Sequence, residues 1–160
     1  MANFYGTART NYFKVKDQLA FYKAIENISD IEVVRQNPIR GEVPEGHDFG
    51  GYAILVSDGD NGGFPSSGWD EANEVEVEFD LVYIVAEHLA DGEVAIFMES
   101  GAEKMRYVDG YATAINNKLE RRDISLNDIY DVAKELTTSN ITLPRQQQTM
   151  RKYNDYNDYN

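Results

Sequence analysis

The sequence predicts an α+β domain, and three observations carry that prediction. Stretches with strand-type alternation and stretches with helical i, i+3, i+4 spacing follow one another in the order β-α-β-β-α-β. The 160 residues suit a single domain that buries about two-thirds of its unfolded surface. Apolar residues make up 42% of the chain, which is enough for a packed core and too many for a disordered polymer.

Residues 10–16 (Thr-Asn-Tyr-Phe-Lys-Val-Lys) are aromatic and β-branched with interleaved charge, the signature of a first strand. Asp17 stands where a helix N-cap belongs, and Phe21, Ala24, Ile25 and Ile28 then recur on one helical face. Residues 31–36 read as a second strand. Pro38, Gly41, Pro44 and Gly46 mark a loop, and 50–57 form a third strand apolar enough to be central.

Residues 58–73 are rich in Gly, Asp and Ser and read as irregular; they run into a charged alternation, Glu74-Val75-Glu76-Val77-Glu78-Phe79. Phe79, Val82, Tyr83, Ala86 and Ala90 keep helical spacing, with Gly92 as the residue after the helix C-cap. The β-branched run Leu81–Val85 leaves a strand there as the alternative. Residues 93–99 are a strand, Ser100-Gly101 is read as the turn, and 104–116 return beside it. A short strand follows near 119–124. Ser125 and Asp128 approximate a capping box, and Ile129, Ala133 and Leu136 form the apolar stripe of a last helix.

The first six elements match a ferredoxin-like, split βαβ arrangement, an antiparallel sheet with helices on one face. To it the sequence appends a β-hairpin return and the C-terminal helix. One domain over 1–137, with an acidic insert at 58–80, is expected, followed by a disordered polar tail at 138–160. That fold supports many functions and specifies none.

Composition narrows the compartment and the partner. With no cysteine there is neither a disulfide framework nor a thiolate metal site. No signal peptide opens the sequence, and no apolar run approaches the roughly eighteen residues of a membrane span, so the reading is cytoplasmic, in the cell that hosts the protein, without membrane contact. The net charge is −13, and it is segregated. From Gly41 to Glu103 there is no Lys or Arg but sixteen acids, whereas the rest of the chain holds twelve acids against fifteen bases. Such a field attracts a basic partner and repels nucleic acid. A patch of Arg9, Lys14, Lys16, Arg121 and Arg122 is too small to reverse it. The alternative is a solvated acidic loop that only keeps the protein soluble.

Candidate chemistry is sparse. Asp58-Gly-Asp60-Asn-Gly-Gly63 resembles the start of a calcium loop, but Gly62 and Trp69 occupy the fifth and twelfth positions, where oxygen ligands belong. A tight glycine turn explains the same residues. His47 and His88 have no ligand spacing, and no phosphate loop, nucleophile elbow or zinc-protease motif occurs. The sequence therefore predicts no catalytic residue, no metal and no cofactor.

The acidic segment remains. If 74–80 is extended, Glu74, Glu76, Glu78 and Asp80 share one face at steps of about 6.6 Å, with Asp58, Asp60, Asp70 and Glu71 just upstream. A fixed row of carboxylates can stand in for DNA phosphates at Lys and Arg sites. The single tryptophan, Trp69, falls in this segment beside Phe64, either as an interface anchor or as a cap tucked onto the sheet.

Two strings add context: Asn3-Phe-Tyr-Gly-Thr-Ala-Arg-Thr-Asn-Tyr-Phe-Lys-Val-Lys-Asp17 and Gly92-Glu-Val-Ala-Ile-Phe-Met-Glu-Ser-Gly-Ala-Glu-Lys-Met-Arg-Tyr107. Across roughly residues 3–136, the chain resembles small acidic proteins carried by phages and plasmids. The resemblance implies an anti-restriction or anti-CRISPR role, in some cases by imitating DNA; it carries over no functional residue. The expectation is a non-enzymatic inhibitor that sets Asp58, Asp60, Trp69, Asp70, Glu71, Glu74, Glu76, Glu78 and Asp80 against a basic DNA- or RNA-binding surface of a host defence protein. A small-ligand-binding domain lined by Tyr52, Tyr83, Tyr107 and Tyr111 is the alternative. An enzyme using Asp58 and Asp60 with a divalent metal is the third.

Overall fold

The computed structural model describes residues 4–42, 44, 47–56, 63–70, 74–103 and 107–136. The polar tail expected at 138–160 lies outside them. In chain order the elements are β1 (Phe4–Thr10), α1 (Gln18–Ile25), β2 (Ile31–Arg35), β3 (Tyr52–Val56), β4 (Ser67–Asp70), β5 (Val75–Glu78) and α2 (Leu81–His88). Then come β6 (Val94–Glu103), β7 (Tyr107–Asn116), β8 (Arg121–Ser125) and a short C-terminal helix, α3 (Ile129–Ala133), flanked by 3₁₀ turns at Leu126–Asp128 and Lys134–Leu136.

Six strands form one sheet in the order β2-β3-β1-β6-β7-β8, with every neighbour antiparallel, and β4 and β5 form a separate hairpin. The class is α+β, but the order is not the four-strand ferredoxin-like topology that the element pattern suggested. The cause lies in β6 and β7, ten residues each and paired along their whole length from Val94↔Asn116 to Glu103↔Tyr107. That ladder leaves a free edge on β7, which β8 takes, so the expected hairpin return widens the sheet by two strands.

Three local expectations shift. The first strand is Phe4–Thr10 rather than 10–16. Residues 11–16 run extended but make only isolated bridges, Phe13↔Tyr52 and Val15↔Leu89, because Phe13 is spent on the core. Where the β1 ladder stops, side chains replace it: the Thr10 hydroxyl accepts the Ile54 N–H at 2.9 Å, and the Asn11 amide bonds both Ile96 N–H and Val94 C=O. The turn expected at Ser100-Gly101 is strand, with Gly101 opposite Gly6, and β6 continues to Glu103. Helix α2 ends at His88, not beside Gly92, because buried Leu89 turns extended to bridge Val15; Gly92, at φ 79°, serves the turn into β6.

Helix α1 and the C-terminal helical segment start where the sequence places them, whereas α2 starts at Leu81 behind an Asp80 cap that the sequence pattern assigns to the acidic row. The Asp17 carboxylate accepts the Ala20 N–H at 3.0 Å, and the Ser125–Asp128 capping box is complete. Phe21 and Ile25 of α1 and Leu81, Val85 and Ala86 of α2 join Tyr52, Ile54, Ala95, Phe97 and Ile115 in one core. By the period-two alternation of strands, these sheet residues share one face, so both helices cover that side. The Phe21 ring sits at the centre, with Phe13, Tyr22, Tyr52 and His88 rings 5.7–6.1 Å away.

Candidate functional site

The β4–β5 hairpin stands on the helix-covered side of the sheet. Its register, Ser67↔Glu78, Gly68↔Val77, Trp69↔Glu76 and Asp70↔Val75, sorts its side chains. Ser67, Trp69, Glu76 and Glu78 share one face, because directly opposed residues of an antiparallel pair project together. Gly68, Val75 and Val77 share the other. All four residues of β5 are exposed. Glu74 sits at the turn with φ 53°, a left-handed conformation that non-glycine residues seldom adopt.

As an element the hairpin runs against local preference. Glu is depleted in strands, and a lone two-stranded ribbon is marginal in water. Glutamates two apart on one face repel by roughly 0.6 kcal/mol per pair in water before salt screening. No ion pair among the described residues engages Glu74, Glu76 or Glu78. The Ser67 hydroxyl donates to Glu76 Oε1 at 2.7 Å, the one polar contact among described residues that fixes a carboxylate of the row.

Asp80, expected as the fourth member of that row, serves another purpose. It is the N-cap of α2, accepting the Val82 N–H at 2.9 Å and the Tyr83 N–H at 3.4 Å, and it lies 3.7 Å from the Arg121 guanidinium. Arg121 is also held by Asp123 at 2.9 Å and stands over the Tyr83 ring. Burial pushes the Asp123 carboxyl up, but hydrogen bonds from Thr113 and Arg121 outweigh it and leave the group below its ordinary value.

The two aromatics of the segment part company. Phe64 packs edge-on against Phe97 at 5.0 Å and closes the core, whereas Trp69 is 63% exposed. The loop at Phe64 is pinned by Glu99, a half-buried carboxylate that the sequence reading overlooked. Burial raises its pKa, and the Phe64 N–H, donating to it, offsets part of that rise. A Cβ at Gly63 would lie 2.8 Å from Glu99 Oε2, so a larger residue there would displace the end of this carboxylate.

Beneath the hairpin lies a cleft of about 780 Å³. Gly68, Trp69, Val77 and Phe79 form its roof, and Ala24, Ile84 and residues 26–29 at the end of α1 form its floor. No local motif announces this cleft, which joins segments some forty residues apart in sequence. Of the expected site residues, Trp69, Glu74, Glu76 and Glu78 come together on the hairpin. The side chain of Asp70, together with Asp58, Asp60 and Glu71, lies outside the described residues.

Of the tyrosines in the alternative reading, the three described side chains sit in different settings. Tyr52 is buried, Tyr83 lies beside Arg121, and Tyr111 is opposite Glu99 on the β6–β7 ladder; the Tyr107 side chain is outside the described residues. Both histidines are engaged: the His88 Nδ1–H donates to Ile84 C=O at 2.8 Å, and the His47 ring sits edge-on to Phe49. Among the described residues, no three His, Cys, Asp or Glu side chains are placed to hold a metal, and no helix is long and apolar enough to cross a membrane. No protein-family model matches the chain, nor does any curated protein or solved structure.

Proposed function

We propose that this is a non-enzymatic binding protein that sets its β4–β5 hairpin against a basic, nucleic-acid-binding surface of a host defence protein. The observation carrying this reading is the exposed glutamate row beside an exposed tryptophan. An element that costs stability locally yet projects charge and one large aromatic has the composition of an interface: a rigid anchor within a field that steers a cationic partner. The partners this reading proposes are restriction or CRISPR nucleases, whose Lys and Arg sites are built for a phosphate backbone.

Replacing Glu74, Glu76 and Glu78 together with Lys tests it. Inhibition of a susceptible nuclease is expected to disappear while thermal stability stays within a few degrees of the parent. Unchanged inhibition by the triple variant defeats the reading. The 780 Å³ cleft supports a second reading, a small-ligand site, since it falls within the size range of such pockets. Its floor and roof are Ile84, Phe79 and Val77 rather than the expected tyrosines. A thermal-shift screen of nucleotides and metabolites separates the two, because only a cleft ligand raises the melting temperature without a protein partner.

A further inference from the structure

The sheet has a second face, away from both helices. By strand alternation it carries Val94, Ile96 and Met98 of β6, Ala112 and Ala114 of β7, Val108 at the start of β7 and Ile124 of β8. Val94, Ile96, Met98, Val108 and Ile124 are all exposed, Ile124 at 66%. The Leu126 side chain reaches onto the same face, where a Cβ at Gly110 would lie only 2.7 Å from Leu126 Cδ1. That contact and the capping box fix the direction in which the chain leaves β8. The helix that follows then presents Ile129, Val132 and Leu136, exposed at 60%, 55% and 87%, on one side.

A helical segment of eleven residues is below the length at which helices stand alone in water, roughly 12–15 residues. It needs a surface, and its own short connection to β8 leaves its apolar side uncovered. Among the described residues, nothing covers the apolar sheet face or the apolar side of this helix. We propose that two copies of this chain pair through these surfaces, α3 of each lying across β6–β8 of the other about a two-fold axis.

Size and charge both favour a second copy. Together the nine exposed apolar side chains of the face and the helix present on the order of 900 Å² per chain, close to the ~800 Å² per partner of a standard interface. The sheet face offers Arg9 and Arg122, whereas the helical segment carries Asp128, Asp131 and Glu135 against one Lys134. Helix on sheet therefore brings opposite charges to the rim. The contact is isologous and closes on itself. The acidic hairpin lies on the opposite side of the sheet, so pairing leaves both hairpins exposed.

The test uses the full 160-residue chain at 1–100 μM in sedimentation equilibrium. A species of twice the 18.2 kDa chain mass is expected. Ile124→Asp and, separately, Val132→Asp should each weaken it at least 100-fold, with circular dichroism unchanged, because both positions are exposed in one chain. Since the chain has no cysteine, a Met98→Cys protein mixed with a Val132→Cys protein should be joined by a short bis-maleimide into a covalent pair. A parent that stays monomeric, a dimer indifferent to both substitutions, or cross-linking only within a Met98→Cys/Val132→Cys chain would overturn the proposal.

Discussion

The core beneath α1 and α2 and the β4–β5 hairpin are built on opposite principles. In the core most local preferences agree, the β-branched run of α2 being the exception: capped helices, alternating strands and apolar residues meet in one cluster around Phe21. In the hairpin they conflict, since a strand of alternating glutamates is exposed on both faces and its tryptophan stays outside. On the function proposed above, stability and recognition are separated in space. Damage to the core should unfold the protein, and damage to the hairpin should leave it folded and unable to bind.

The largest effect is expected from Phe21→Ala, which removes the ring at the centre of the aromatic cluster. It should cost about 3–5 kcal/mol in chemical denaturation, enough to unfold a marginal domain. Trp69→Ala is the matched change in the hairpin. It should weaken partner binding by about 2 kcal/mol, some thirtyfold, and shift the melting temperature hardly at all. A melting temperature that falls as far as that of Phe21→Ala would erase the distinction between the two regions.

Asp80→Ala probes the boundary. It removes the α2 cap and the Arg121 partner, so a loss of about 1 kcal/mol is expected in denaturant unfolding, with binding kept. If binding falls instead, Asp80 belongs to the recognition row after all. Glu99→Gln is subtler. Burial raises this carboxyl in the fold, so the folded state holds its proton to higher pH than the unfolded chain does. Stability from this group therefore falls as pH rises from the ordinary glutamate value through the raised one. The amide keeps an acceptor for the Phe64 N–H and cannot ionise, so melting curves across that window should lose this slope.

The smallest effect is expected from Tyr52→Phe. The Tyr52 hydroxyl is buried without a hydrogen-bond partner among the described residues, so its loss should change stability by less than about 0.5 kcal/mol. A larger cost would show that the hydroxyl is bound in solution.

What the sequence made legible was whatever depends on neighbours a few residues apart. Asp17 and Ser125 marked helix starts because a cap acts within one turn. Glu76 and Glu78 shared a face because alternation is local. The six-stranded order could not be read, because it depends on which distant edge each strand meets. Residues 10–16 misled for a related reason: Phe13 has strand chemistry, but its burial against Phe21 and Tyr52 sets its place. Asp80 looked like one more acid of the row until the helix behind it claimed its carboxylate. The cleft had no signature at all, since its walls come from α1, the hairpin and α2.

The account rests on the glutamate row acting as a substitute for nucleic-acid phosphates, and one competition measurement bears on that most directly. The parent protein, immobilised, is exposed to a DNA-binding protein fraction of host lysate, and retained protein is eluted with duplex DNA; the Glu74→Lys/Glu76→Lys/Glu78→Lys protein is run beside it. The account predicts a specific protein that duplex DNA displaces, that releases as salt rises, and that the triple variant does not retain. A retained protein that DNA cannot displace, or that the triple variant holds equally well, would contradict it.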